Sequence, residues 1–270
     1  MRLLIQLLSW LAPNIIVNKA IYTINNPKVK KLREHEVEVV SHAKQTTIQF
    51  NDFDIQTYQW GDGCKSILLV HGWEGQAGNF AEIIEALVEN DYTVYAFDAP
   101  SHGFSSSGET SVFEFSDLTT HMLKKTRVKE IISHSFGGVA TTIALSQNPN
   151  IAIEKYLLLT TPDRFVDRIN SVTQQIGIPE KVKQRLIGQI EKQYQLNVRE
   201  TNVSNFAPKT NVKRAKIIHD VADKVVPVEY SRNVCNSWPV CSMEEISGTG
   251  HFRILRTPKV IDRIISFLES

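Results

Sequence analysis

Short apolar runs alternate with amphipathic stretches along most of the chain. Thr46–Phe50 and Asp54–Trp60 alternate apolar and polar positions with the period of half-buried strands, and Asn51-Asp52 between them predicts a hairpin turn. Ser66–Val70 is continuously apolar, which suits a central parallel strand. Tyr92–Phe97, Val128–Ile132, Tyr156–Thr160, Ala215–Ile218 and Val240–Ile246 also read as strands. Between them lie helical patterns. Phe80, Ile83, Ile84, Leu87 and Val88 share one face, and Ser111 with Glu114 forms a capping box for the helix of Val112, Phe115, Leu118 and Met122. Another pattern runs over Val139–Leu145, one lies near Pro227–Val234, and Val260, Ile261, Ile264, Ile265 and Leu268 line a closing helix.

Strands alternating with helices predict an α/β fold, a mostly parallel doubly wound sheet covered on both faces. The rhythm breaks after Pro162. Two helical patterns, at about 163–176 and 179–196, follow each other before the next strand. An insertion there, at about 163–206, predicts a small helical cap over the C-terminal ends of the strands.

The lead-in divides from this domain near residue 45, giving 1–44 and 45–270. Leu3, Leu4, Leu7, Leu8 and Leu11 cover one side of an N-terminal helix, interrupted by Arg2, Gln6 and Ser9, and the run ends at Pro13. It falls well short of the ~20 apolar residues of a membrane span. No clear small-x-small cleavage site marks it as a signal peptide. Two other readings are a helix at a membrane surface and a helix lying on the domain; the expectation is the latter. Residues 26–44 read as a charged loop.

Composition narrows the function classes. The 270 residues are 42% hydrophobic, enough for a sizeable core. The net charge is +1 and the basic residues are scattered, which argues against a nucleic-acid surface. Cys64, Cys235 and Cys241 show no CxxC spacing, so neither a zinc site nor a disulfide framework is expected, and a cytoplasmic location is the default. His219, Asp220 and Asp223 lack a further ligand cluster, and no metal or cofactor is expected.

The chemistry centres on Ser133-His134-Ser135-Phe136-Gly137-Gly138, which stands between a strand and a helix. There a small-x-Ser-x-Gly sequence becomes a nucleophile elbow: a strained turn lifts Ser135 Oγ above the sheet, and the helix start behind it offers N–H groups to a developing oxyanion. His251 lies in the Gly-flanked loop after the last strand, Asp220 and Asp223 follow the preceding strand, and His71-Gly72-Trp73 follows Ser66–Val70. This is a nucleophile, a base and an orienting acid in the order Ser…Asp…His. Of the two aspartates, Asp223 is expected to face the histidine, while Asp220 serves the turn, where a left-handed backbone suits Asp.

These motifs resemble the α/β-hydrolase superfamily over about residues 45–270, in its serine-nucleophile, esterase- and lipase-like branch. The matching stretches are His71-Gly72-Trp73, Asp98 to Ser105, Ser133 to Gly137, Asp223 to Pro227, and His251. Three positions depart from the pattern: Ser133 and Ser101 for the usual Gly, and Asp220 where Gly often precedes the acid. The resemblance implies a catalytic Ser135, Asp223 and His251, with backbone N–H groups of Trp73 and Phe136 as the oxyanion hole. The expected activity is hydrolysis of a small-molecule carboxylic ester through an acyl-enzyme. Thioester or amide hydrolysis, lyase chemistry, or a non-catalytic binding role on the same fold are the alternatives.

Overall fold

The computed structural model describes residues 2–270, with the side chains of Arg2, Leu3, Leu4 and Leu7 outside the description. Eight strands form one sheet: β1 (Lys44–Phe50), β2 (Phe53–Trp60), β3 (Lys65–Val70), β4 (Tyr92–Phe97), β5 (Glu130–His134), β6 (Ile153–Leu159), β7 (Val212–Asp220) and β8 (Cys241–Ile246). Their order is β1-β2-β4-β3-β5-β6-β7-β8. The β1–β2 hairpin is antiparallel, β2 meets β4 antiparallel, and all other pairs are parallel. The helices are α1 (Arg2–Leu11), α2 (Pro13–Asn25), α3 (Glu34–Ser41), α4 (Ala81–Glu89), α5 (Val112–Thr126), α6 (Phe136–Gln147), α7 (Phe165–Ile176), α8 (Glu180–Tyr194), α9 (Val203–Phe206), α10 (Val228–Ser237), α11 (Gly250–Arg253) and α12 (Pro258–Glu269).

Alternation along the central strands divides the core in two. Leu68, Val70, Ile131, Leu158 and Ile217 face one cluster, with α5, α6 and the cap helices α7 and α8. Ile67, Leu69, Ile132, Leu157, Leu159 and Ile218 face the other, with α4 and α12. Both sides of the parallel strands are therefore dry, which is why these strands read as unbroken apolar runs.

The lead-in differs from its reading as a helix followed by a charged loop. Pro13 does not stop the helical region; it opens α2, where a missing N–H costs nothing. Residues 34–41 form α3, because Glu36 caps its start by accepting from Arg33 N at 2.7 Å and Arg33 Nε at 3.0 Å, and Arg33 also pairs with Glu82 at 2.8 Å. Trp60 Nε1 donates to Val39 O at 2.8 Å, tying α3 to β2. α2 buries Ile16, Val17, Ala20 and Ile24 and packs against α7 and α8. The expected apolar face of α1 rests partly on Leu3, Leu4 and Leu7, whose side chains lie outside the described residues; Leu11 and Trp10 are exposed. Among the described residues no helix is long and apolar enough to cross a membrane.

Candidate active site

Ser135 sits between β5 and α6 with φ 52° and ψ −121°, a strained backbone for a residue bearing a Cβ. Its N–H donates to Leu159 O and Thr160 O, at 3.0 and 2.8 Å, which helps pin the turn. The turn also needs a near-contact behind it. A Cβ at Gly137 would lie 2.3 Å from His71 O and 2.4 Å from Val70 O, so only glycine lets α6 meet the end of β3. Phe136, the first residue of α6, has an N–H with no intrahelical acceptor. The Trp73 N–H also lacks a partner among the described residues. Trp73, Ser135, Phe136 and His251 line one cavity of about 370 Å³ under the cap.

His251 Nδ1 stands 2.8 Å from Asp223 Oδ2, and both side chains are almost fully buried. The other oxygen, Asp223 Oδ1, accepts from Val225 N at 2.7 Å and Val226 N at 2.9 Å. His219 Nε2 lies 3.6 Å from Asp223 Oδ2 and bonds Val226 O at 3.0 Å. Burial opposes ionisation of Asp223; the two histidines and the Val226 amide outweigh it and hold the carboxyl far below the usual range. Ser135 Oγ makes no hydrogen bond among the described residues, although it shares the cavity wall with His251.

The Asp220 side chain serves the turn as expected, but its backbone is not left-handed. Asp220 is the last residue of β7. Oδ1 accepts from Ala222 N at 2.8 Å, while Oδ2 accepts from Thr249 Oγ1 at 2.9 Å, Gly250 N at 2.7 Å and Thr249 N. Its carboxylate thus clamps the loop that carries His251. The other two departures from the family pattern are accommodated as well. Ser133 Oγ lies 2.9 Å from Tyr156 OH inside the core. Ser101 adopts φ 65° and its Oγ accepts from Gly108 N at 3.2 Å.

Three further histidines, His71, His102 and His134, hold loops. His71 Nε2 accepts from Ala99 N at 2.9 Å, so its Nδ1 carries the proton toward Gly72 O at 2.7 Å. His134 Nε2 contacts His251 O at 2.9 Å and joins the elbow to the histidine loop. His102 Nδ1 contacts Pro100 O at 2.9 Å. Burial lowers all three, His102 to about 4 and His134 to about 3. Asp98 anchors the loop after β4: it accepts from Ala77 N, Phe104 N and Tyr58 OH, each at 2.8 Å. Among the described residues no group of His, Cys, Asp and Glu is arranged to hold a metal ion.

A family model for the alpha/beta hydrolase fold matches residues 65–175. A putative lipase from Acinetobacter baumannii superimposes with a TM-score of 0.67 at 16% identity, covering 89% of this chain and 97% of that one. The chain has the α/β-hydrolase fold. Two curated proteins align with this chain over just under half of its length. One is the dihydrolipoyllysine-residue acetyltransferase component of the acetoin cleaving system of Cupriavidus necator, 28% identical over 131 residues, 46% of this chain and 34% of that protein. The other is the uncharacterized hydrolase YugF of Bacillus subtilis, 26% identical over 130 residues, 46% of this chain and 47% of that protein. The chain thus spans a third to a half of the length of these relatives.

Two features of the site left no signal in the sequence pattern. One is α2, whose Ile21, Ile24 and Asn25 wall a narrow apolar slot beside the cavity. The other is Arg168 of α7, which lines both the slot and the cavity. A helical period over 163–176 identifies the buried face of α7, but not which polar residue at its edge lines the cavity.

Proposed function

We propose that the chain is a serine hydrolase that cleaves carboxylic esters. The observation that carries this reading is the buried His251–Asp223 pair at 2.8 Å on the wall that also holds the strained Ser135. Asp223 accepts from Nδ1–H, which leaves His251 Nε2 free to take a proton. Ser135 Oγ attacks the ester carbonyl carbon while Nε2 removes its proton. The oxyanion is held by the N–H groups of Trp73 and Phe136, favoured by the positive end of α6. Collapse of the tetrahedral intermediate expels the alcohol, which takes the proton from Nε2. Water then attacks the acyl-enzyme by the same route and releases the acid. The lipase and hydrolase named among the similar proteins are consistent with this class of reaction.

A serine-directed fluorophosphonate together with a chain-length panel of chromogenic esters tests the proposal. Labelling and turnover are expected, and Ser135→Ala should remove both, at a cost on the order of 10⁴–10⁶ in kcat. Labelling retained in Ser135→Ala, or no labelling of the wild type, would overturn it.

A further inference from the structure

The cavity at Ser135 is apolar for much of its wall, with Phe136, Val139, Pro162, Phe165 and Val226 among its lining residues, yet charged side chains also reach it. Their partners differ. Asp163 is buried and its Oδ1 accepts from Ser204 N at 2.9 Å. Asp167 pairs with Arg164 at 3.6 Å. Glu74 is exposed and accepts from Lys28 N at 3.3 Å. Arg168 is part-buried and, among the described residues, makes neither a hydrogen bond nor an ion pair. Burial lowers its guanidinium from the ordinary arginine value, with only the more distant Glu74 opposing. A part-buried guanidinium with five N–H donors and no protein partner can take its acceptor from a ligand in the cavity.

We infer that Arg168 is a specificity residue that receives an anionic group of the substrate, a carboxylate or a phosphate attached to an apolar chain, where the cavity meets the narrow slot. The inference rests on the ester-hydrolase reading for its chemistry, but its geometry does not depend on turnover. Arg168 borders both spaces, so a chain running from Ser135 toward α2 passes it. Arginine presents a planar fork that matches carboxylate and phosphate oxygens in pairs.

Binding of octanoate, octyl phosphate and octanol to Ser135→Ala protein, by calorimetry, separates this inference from the hydrolase proposal because no bond is cleaved. At least one of the two anions should bind about tenfold or more tightly than octanol, the order expected for a charge-assisted hydrogen bond. The ratio of anion to alcohol affinity should collapse in the same protein carrying R168Q and be partly kept with R168K. The tighter of octanoate and octyl phosphate identifies the headgroup. Equal affinity for all three ligands, or a ratio unchanged in R168Q, would overturn the inference even if fluorophosphonate labelling succeeds. The anion preference with no labelling would instead sink the hydrolase proposal alone.

Discussion

Asp223→Asn is the sharpest perturbation of the site, because the two carboxylate oxygens have separate tasks. Oδ1 accepts two amide N–H groups at 2.7 and 2.9 Å, and an Asn carbonyl oxygen can take that place. The amide NH₂ then faces His251 Nδ1, where Asp223 Oδ2 now stands at 2.8 Å. Two donors cannot share that contact, so Nδ1 must become the acceptor and the proton moves to Nε2. That tautomer cannot take the proton of Ser135. The expected loss is about 10⁴ in kcat, by analogy with the serine-protease case, or about 5.4 kcal/mol of barrier. Asp220→Asn is the control. Its oxygen can keep the Thr249 and Gly250 donors and lose the Ala222 bond, costing about 1.5–3 kcal/mol of stability and less than about tenfold in kcat, because His251 keeps its partner. Steady-state hydrolysis of a chromogenic ester, with thermal unfolding of each variant as the check on folding, reads both effects. A folded Asp223→Asn within tenfold of wild type would refute the tautomer argument. So would an inactive but stable Asp220→Asn.

Other consequences are as direct. Gly137→Ala puts a Cβ 2.3 Å from His71 O, so the elbow must shift; stability should fall by several kcal/mol, on the order of other backbone overpacking, and fluorophosphonate labelling should be lost even in the folded fraction. Stability should also decline as pH drops from about 6.5 toward 4. His102 and His134 fall to about 4 and about 3 and His71 also falls on folding, so the unfolded chain takes up protons first; the raised Asp98 carboxyl opposes this only in part, and a flat profile of melting temperature against pH would contradict it. Val17 is fully buried in α2, so Val17→Asp should loosen that helix from the cap and change the chain-length preference for esters more than the rate with a short activated one; equal losses on both would show that α2 supports the fold without shaping the slot.

The serine elbow was legible before any coordinates because its demands are local. A strand must end, a backbone must turn sharply at Ser135, and small residues must stand at Ser133 and Gly137, and each requirement is written within six neighbouring positions. The parallel sheet was legible for a related reason: burial on both faces leaves unbroken apolar runs such as Ser66–Val70. The order of Ser135, Asp223 and His251 likewise followed from strands that end at the same edge.

Tertiary structure alone decided matters that depend on distant partners. Asp220 and Asp223 carry the same group three positions apart; only the path of the loop after β8 sends one carboxylate to the Thr249 and Gly250 amides and the other to His251. Residues 34–41 read as a charged loop because their helix is held by Glu82 and Trp60, far away in the chain. α2 became part of the pocket wall because its apolar stripe meets α7 and α8 across the fold. A stripe shows that a helix must bury one face; which face it finds is settled by packing, and packing is not written in the local pattern.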